Sequence, residues 1–416
     1  MAEKVIVSKN KVTALGDAIR GQGFTDAQMT FDEMAQEVTN IPFAKLVDRY
    51  ISKVDCSAIT SVGKYAFKEC SYLTTVNVPN ATMIRDEAFR SCSSLTSISG
   101  ENVATIGMSS FESCFSLTSV DLPSVTRIES NAFKGCSALT EVNFPEVQLY
   151  DAQAFSNCTS LSKVTLGNVE WVRDSTFRDL KNLTEVNLPN ATEFGSFAFM
   201  SAGSETELVV NAPLATLLLD DCFNNSGIVE ANFPLVDLVG QRCFSHCIKL
   251  TKVDMPLANE INYGAFEQCS ALKTARLPRA SYIYEHAFYM CSNLKKVELG
   301  DADRPSSYSF ENCYSLQHVI FRCERLPEFF NESRTRFDEV FTNCLHFTGE
   351  HDPTYNPDWK RDGCFYVPRA LKNAAWTEGV RSFLRDEPER LRAIEDYPEI
   401  CNFLDEDEEE EGDNNG

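Results

Sequence analysis

The 416-residue sequence predicts an α/β-type repeat solenoid. It would have about twelve 22-residue coils, parallel stacked strands, a helical N-terminal cap and a mixed C-terminal cap. Three observations predict it. A phenylalanine returns at a nearly fixed period through the middle of the chain. The same short pattern of cysteine, leucine and alternating apolar residues follows each phenylalanine. The composition, 43% hydrophobic and 24% charged, is that of a chain that packs a core.

Residues 1–42 precede the repeat. Val12, Leu15, Ala18 and Ile19 have the spacing of one helical face, and Gly21 and Gly23 end it. Thr30 and Glu33 fit a capping box that opens a second helix through Val38. Taken alone, the segment reads as a plain N-terminal cap. The stretches Ala14–Arg20 and Met29–Ala35 also resemble a short module near the start of phage and prophage tail proteins. That resemblance implies a virion or tail-attached protein, with this end doing the attaching.

Residues 43–322 hold the repeat. Its phenylalanines are Phe67, Phe89, Phe111, Phe133, Phe155, Phe177, Phe199, Phe223, Phe244, Phe266, Phe288 and Phe310. Nine of the eleven gaps are 22 residues, and the Phe199–Phe223 and Phe223–Phe244 gaps are 24 and 21. Cysteine follows by three in nine copies, as at Cys136 and Cys158, and leucine follows by six, as at Leu139 and Leu161. Alternating apolar pairs such as Val142 and Phe144 then mark a half-buried strand, usually closed by proline. A second apolar residue about five before the phenylalanine, such as Ile84 or Ile128, marks another short extended segment. One such coil cannot bury these residues by itself, whereas stacked coils turn them into internal ladders.

This grammar resembles the BspA-type leucine-rich repeat family, from residue 58 to about 322. The middle copies depart from it. Leu180, Ala202 and Ser226 stand where cysteine is expected, and Ser204–Val210 and Asn224–Glu230 disturb the leucine position. Two readings stay open for these coils: tolerated repeat drift, or a kink or functional interruption.

Residues 323–404 are read as an irregular last repeat and cap. Phe341 and Cys344 look like one more copy displaced by the insertion Glu324–Arg336. Gly363–Pro368, Trp376, Phe383 and Ile394 resemble the terminal element of bacterial proteins of this family, which implies a capping strand and one or two helices. Residues 405–416 contain no apolar side chain and eight acidic ones, and they are predicted to be disordered.

The net charge of -23 argues against a nucleic-acid partner. No apolar run reaches the roughly 20 residues of a membrane helix, so no membrane insertion is expected. Met1–Asn10 has no apolar region of the signal-peptide kind, so Sec export is not indicated. One cysteine per coil reads as a row of small buried hydrophobes, against a metal or redox reading that needs converging ligands. Cys243, His246 and Cys247 form the one tight Cys/His cluster, and a metal there lacks a fourth ligand. The five histidines sit in no catalytic motif. No catalytic residue, cofactor or metal site is assigned. Six N-x-S/T sequons (Asn80, Asn157, Asn182, Asn190, Asn224, Asn331) carry little weight, because the repeat itself sets Asn near Thr.

Strand alternation sends Thr75/Asn77, Ser97/Ser99, Ser119/Asp121, Glu141/Asn143, Lys163/Thr165, Glu185/Asn187, Glu230/Asn232, Lys252/Asp254, Thr274/Arg276 and Lys296/Glu298 to solvent. That face is polar and poor in aromatics. Tyrosines gather elsewhere, at Tyr263, Tyr282, Tyr284, Tyr289, Tyr308 and Tyr314, in variable positions of the last three coils. They form either a platform for a receptor or glycan or half-buried packing between coils. The functional expectation is a non-catalytic binding protein: a phage or prophage tail-associated host-recognition protein attached through residues 1–42. The alternatives are a bacterial or protist cell-surface adhesin and an intracellular interaction scaffold, with a protein or cell-surface glycan as partner.

Overall fold

The computed structural model describes residues 52–401 apart from 56, 58, 152, 301–304, 325–333, 349–362 and 386. The expected N-terminal helices and the acidic tail lie outside the described residues. The chain divides between Ala212 and Pro213 into two compact units, and each is a parallel-strand solenoid.

In the first unit each coil supplies one long and one short strand. The long strands Lys53–Asp55, Thr75–Asn77, Ser97–Ser99 and Ser119–Asp121 pair in parallel, in register, residue 22 onto residue 22. Glu141–Phe144, Lys163–Leu166, Glu185–Asn187 and Val209–Asn211 make a second such sheet. Their middle apolar residues, among them Val76, Ile98, Val142 and Val164, point inward and are buried. Five two-residue strands, from Ser61–Val62 to Leu149–Tyr150, pair in parallel as a further row. Each buries its second residue, for example Ile84 or Ile106. The second unit repeats this plan. Its long strands run from Glu230–Asn232 through Lys252–Asp254, Thr274–Leu277 and Lys296–Leu299 to His318–Phe321.

The third side of the coil is a turn around the phenylalanine, and it follows one rule. The residues two before and two after the phenylalanine take positive φ. Glu87 and Ser91 around Phe89 have 52° and 61°, and His286 and Met290 around Phe288 have 58° and 57°. Left-handed residues on either side turn alternate N–H groups along the solenoid axis. Thus Glu87, Phe89 and Ser91 donate to Met108, Ser110 and Glu112 of the next coil at 2.8 Å each. Most occupants are Asn, Ser, Asp, Gln, His or Gly, several of which tolerate this region well.

Stacking at one coil per strand spacing sets the phenylalanines face to face. Phe67, Phe89, Phe111 and Phe133 have ring centroids 5.2–5.3 Å apart. In the second unit Phe223, Phe244, Phe266, Phe288 and Phe310 repeat this at 5.1–5.2 Å. The cysteines run alongside and do more than fill space. From Cys92 on, the thiols three residues after a phenylalanine donate to the carbonyl of the phenylalanine one coil back: Cys92 to Phe67 at 2.9 Å, Cys136 to Phe111 at 3.2 Å, Cys291 to Phe266 at 3.0 Å. Asparagines make similar rungs outside. Asn80, Asn182 and Asn190, three of the sequon residues, donate their amides to Ser57, Thr159 and Gly167 carbonyls. Their side-chain nitrogens are therefore structural donors.

The last described coils close the second unit. Phe341 stacks on Phe310 at 5.6 Å, and the Cys344 thiol donates to the Phe310 carbonyl. The strand Cys364–Val367 then adds beside His318–Phe321, and Leu391–Ala393 beside that. Phe337, Phe341, Phe347, Phe365 and Phe383 pack beneath them. On the outer side a second apolar cluster forms from Ile320, Cys364, Tyr366 and Ile394, with Tyr397 and Ile400 against it. Arg390 is buried and ties the cap down by donating to the Gly363 and His346 carbonyls at 2.8 and 3.1 Å.

Part of the exposure pattern expected from alternation is overturned. Thr274, Lys296 and Glu298, placed in solvent by the sequence, are buried, Glu298 to 3%. Glu298 lies between Arg276, at 3.4 Å, and Arg322, and Arg276 also meets Asp254 at 3.0 Å. Alternation decides which side of a strand a residue takes. It carries no information about what meets that side, here the guanidinium groups of Arg276 and Arg322 on Glu298. The remaining pairs are exposed or half-buried, since small polar side chains of adjacent coils bond one another. Asn77 bonds Asp55, and Ser99 bonds Asn77, both at 3.0 Å.

Candidate functional site

The candidate chemistry sorts by where the coil puts it. Cys243 and Cys247 are fully buried beside Phe244, while His246 is exposed and takes its hydrogen bond from or gives it to Ser245, at 2.8 Å. The three side chains therefore do not converge. Burial also pushes the cysteine thiols up: Cys114, Cys158 and Cys247 to about 12. Such thiols stay protonated at neutral pH, and the thiolate is the nucleophile and the ligand. Among the described residues no group of three or more His, Cys, Asp or Glu is arranged to hold a metal. Nor is any described helix long and apolar enough to cross a membrane.

The six predicted tyrosines all lie in the second unit, and five are exposed, between 37% (Tyr314) and 54% (Tyr282). Tyr289 is half-buried. The structure brings three of them together around a histidine the sequence reading left out. His286 has the rings of Tyr289, Tyr263 and Tyr308 at 5.0, 5.6 and 6.1 Å. Its Nδ1 lies 3.3 Å from the Tyr263 hydroxyl. Its Nε2 lies 3.8 Å from Glu311 and 4.0 Å from Glu285. The coil explains the grouping. His286 and Tyr308 are the left-handed residues two before Phe288 and Phe310, so both turn outward at the same level of neighbouring coils. Tyr263 and Tyr289 flank that level from three before Phe266 and one after Phe288. Tyr282 and Tyr284 stand on the short-strand row, with Tyr282 paired in register with Glu260. Tyr314 follows Cys313.

Two features of the first unit were missed. The coil between Phe199 and Phe223 carries two extra residues before its long strand. Gly203 and Glu205 donate to Leu180 and Lys181 carbonyls, and the Thr206 hydroxyl bonds the Leu183 carbonyl. The strand that follows puts Val209, 54% exposed, in the outward position that Glu185 and Lys163 hold before it. An open hollow of about 490 Å³ results, lined by Lys163, Thr184, Glu185, Val186, Asn187, Val209 and Asn211. Its sequence signals were the irregular length of that coil, Ala202 in the cysteine position and the disturbed stretch Ser204–Val210, which read equally as repeat drift. The second feature is Trp171, 47% exposed on the short-strand row, with Arg173 over its ring at 5.0 Å and the exposed Leu149 one coil before. The inward Val172 next to it was the available clue, since alternation turns Trp171 out.

Comparison with known proteins gives a consistent picture of the repeat. The family model described as the BspA type leucine rich repeat region matches in 6 copies, over residues 17–115, 40–145, 104–226 and 216–330. No curated protein matches the sequence. Among solved structures the chain is similar to a leucine-rich repeat protein from Bacteroides ovatus, at 20% identity over 81% of this chain and 88% of that one, with a TM-score of 0.46. It is also similar to a leucine rich cell surface protein from Faecalibacterium prausnitzii, at 22% identity over 62% and 81% of the two chains and a TM-score of 0.29. A leucine rich repeat protein of T. pallidum matches at 22% identity over 48% and 82%, with a TM-score of 0.34.

Proposed function

This chain belongs to the BspA-type leucine-rich repeat family, and from that premise we propose that it is a non-catalytic adhesion protein of the cell-surface kind. Its contact surface is the tyrosine-bearing side of the second unit, and its partner is a protein or a cell-surface glycan. The observation that carries this reading is the gathering of five exposed tyrosines within 52 residues of one regular scaffold. Tyrosine presents a large amphipathic surface and is enriched in contact hot spots. Members of the family are typically interaction proteins, which agrees with thiols locked in a hydrogen-bonded core.

The test is binding of fluorescently labelled protein to a panel of gut and oral bacteria and a mammalian line. It is repeated with Tyr282, Tyr284 and Tyr308 changed to Ala. Strain-selective binding lost in the variant is the expected result. Binding retained in the variant moves the contact to the strand face. Absence of binding to every cell overturns the adhesion reading for that panel. A second reading, attachment to a phage or prophage tail through residues 1–42, rests on the resemblance of Ala14–Arg20 and Met29–Ala35 to tail modules. Recovery of the protein with virions would favour it, and recovery with a membrane fraction would exclude it.

A further inference from the structure

We propose that the ring of Tyr263, Tyr289 and Tyr308 around His286, edged by Glu285 and Glu311, is a docking site for a cationic side chain, a lysine or arginine of a protein partner. The proposal rests on the adhesion reading of this surface and names the chemistry of the partner.

Three observations converge on positive charge. The first is the aromatic enclosure. Three tyrosine rings lie around one imidazole, with centroids 5.0–6.1 Å away and planes tilted to it by 54°, 41° and 48°. Tyr263 and Tyr308 remain 41% and 39% exposed, so ring surface is still open to a partner. Ring faces attract ammonium and guanidinium groups through their quadrupole. The second is the rim. Glu285 and Glu311 face the imidazole Nε2 at 4.0 and 3.8 Å. A cation seated on these rings would have carboxylates within reach.

The third is the charge left uncompensated. Arg242 is held by both oxygens of Asp221 at 3.2 and 3.1 Å and also feels Glu267, so Glu267 does not belong to the rim. His286 contributes a full positive charge only when protonated. Among the described residues the ion pairs of Glu285 and Glu311 are with His286. A neutral glycan would stack on the tyrosines without using the two carboxylates. An anionic glycan would be repelled by them. A lysine or arginine uses rings and rim together, and arginine suits both planar stacking and carboxylate pairing.

The experiment measures anisotropy of fluorescently labelled hexaarginine, hexalysine, hexaglutamine and hexaglutamate with the purified full-length chain at moderate salt. Three variants are compared: Glu285→Gln with Glu311→Gln, Tyr308→Ala, and the control Glu101→Gln with Glu141→Gln, exposed acids of the first unit. A strongly acidic chain attracts any cationic peptide weakly, so the control removes the same charge elsewhere. The expected result is hexaarginine binding at least as tight as hexalysine and no binding of the other two. Affinity should drop about tenfold in the rim variant and about threefold or more in Tyr308→Ala, with less than twofold change in the control. Equal losses in rim variant and control would mean diffuse electrostatics and overturn the site, as would unchanged binding in the rim variant. Tyr308→Ala keeps the net charge, so it decides the matter even if the rim variant folds poorly. Peptide binding without cell binding would sink the adhesion reading and leave this site standing. Cell binding without peptide binding would do the reverse.

Discussion

At the scale of single residues the cysteine ladder does the least expected work. Its spacing made each cysteine legible as an inward residue of the coil, but only as a small apolar one. The acceptor, a phenylalanine carbonyl 25 residues earlier, comes into view only once the stacking offset is known. That carbonyl already accepts the turn N–H three residues on, and the thiol satisfies its remaining capacity. The thiols sit in apolar surroundings that favour the neutral form, so burial raises Cys114 and Cys158 from 9.0 to about 12. The unfolded chain therefore releases protons near pH 9 that the folded chain keeps. Stability from these groups is full below pH 9 and is lost as pH rises from 9 towards 12. Tyr150, also raised to about 12 by burial, acts in the same direction. The expected outcome in urea unfolding is a midpoint that is flat from pH 7 to about 8.5 and then falls. The variant Cys114→Ala with Cys158→Ala should start lower by about 2–4 kcal/mol, from two lost hydrogen bonds and two small cavities. It should then fall less steeply above pH 9. A variant curve parallel to the parent would show that these thiols do not cause the alkaline loss.

At the scale of the element, the turn around each phenylalanine depends on its two left-handed residues. Ser113, two after Phe111, has a φ of 63° and donates its N–H to the Lys134 carbonyl of the next coil at 2.8 Å. Glycine takes this φ freely, while a β-branched side chain clashes with the backbone there. Ser113→Gly is therefore expected to be neutral or stabilising by up to about 1 kcal/mol, and Ser113→Val to destabilise by about 1–2 kcal/mol. Thermal unfolding of both variants checks the order, and a stable Ser113→Val would contradict the role given to the turn. The sequence signalled these positions weakly. Asn131, Asp179 and Gly135 advertise the conformation, but Tyr65, Phe197 and Tyr308 occupy it as well and hide the rule. The same rule explains why part of the tyrosine cluster escaped the sequence. Tyr308 was legible as a variable residue, but His286 looked unremarkable until the turn placed it 22 residues away at the same level. The strands were more readable, because the period of two repeats in every coil. They misled only at Thr274, Lys296 and Glu298, where the outward side of the strand is buried as well.

At the scale of the whole molecule, a stack of parallel strands must end somewhere, and its last strand offers unpaired N–H and C=O groups to any other chain. In the second unit that place is His318–Phe321. The strand Cys364–Val367 takes its free side: the Cys364 N–H bonds the Gln317 carbonyl at 2.7 Å, and His318, Val319 and Ile320 pair in register with Cys364, Phe365 and Tyr366. The cap also covers both faces of the edge. Phe341 stacks on Phe310 within, and Tyr366, Ile394 and Tyr397 shelter Ile320 without. Removing residues 324–416 should thus expose an unpaired edge, the face of Phe310 and the side chain of Ile320 together. Apolar area of this kind drives association at roughly 25 cal/mol per Å². The shortened chain is expected to elute in large assemblies in size-exclusion chromatography with light scattering and to bind a dye for exposed apolar surface. Removing only residues 405–416 takes away eight acidic side chains, but the chain keeps a net charge of -15 and its covered edge, so it should remain monodisperse. If the two truncations behave alike and both stay monodisperse, the cap is not what keeps the edge from pairing. If both aggregate, charge repulsion from the tail, and not edge coverage, holds the molecules apart.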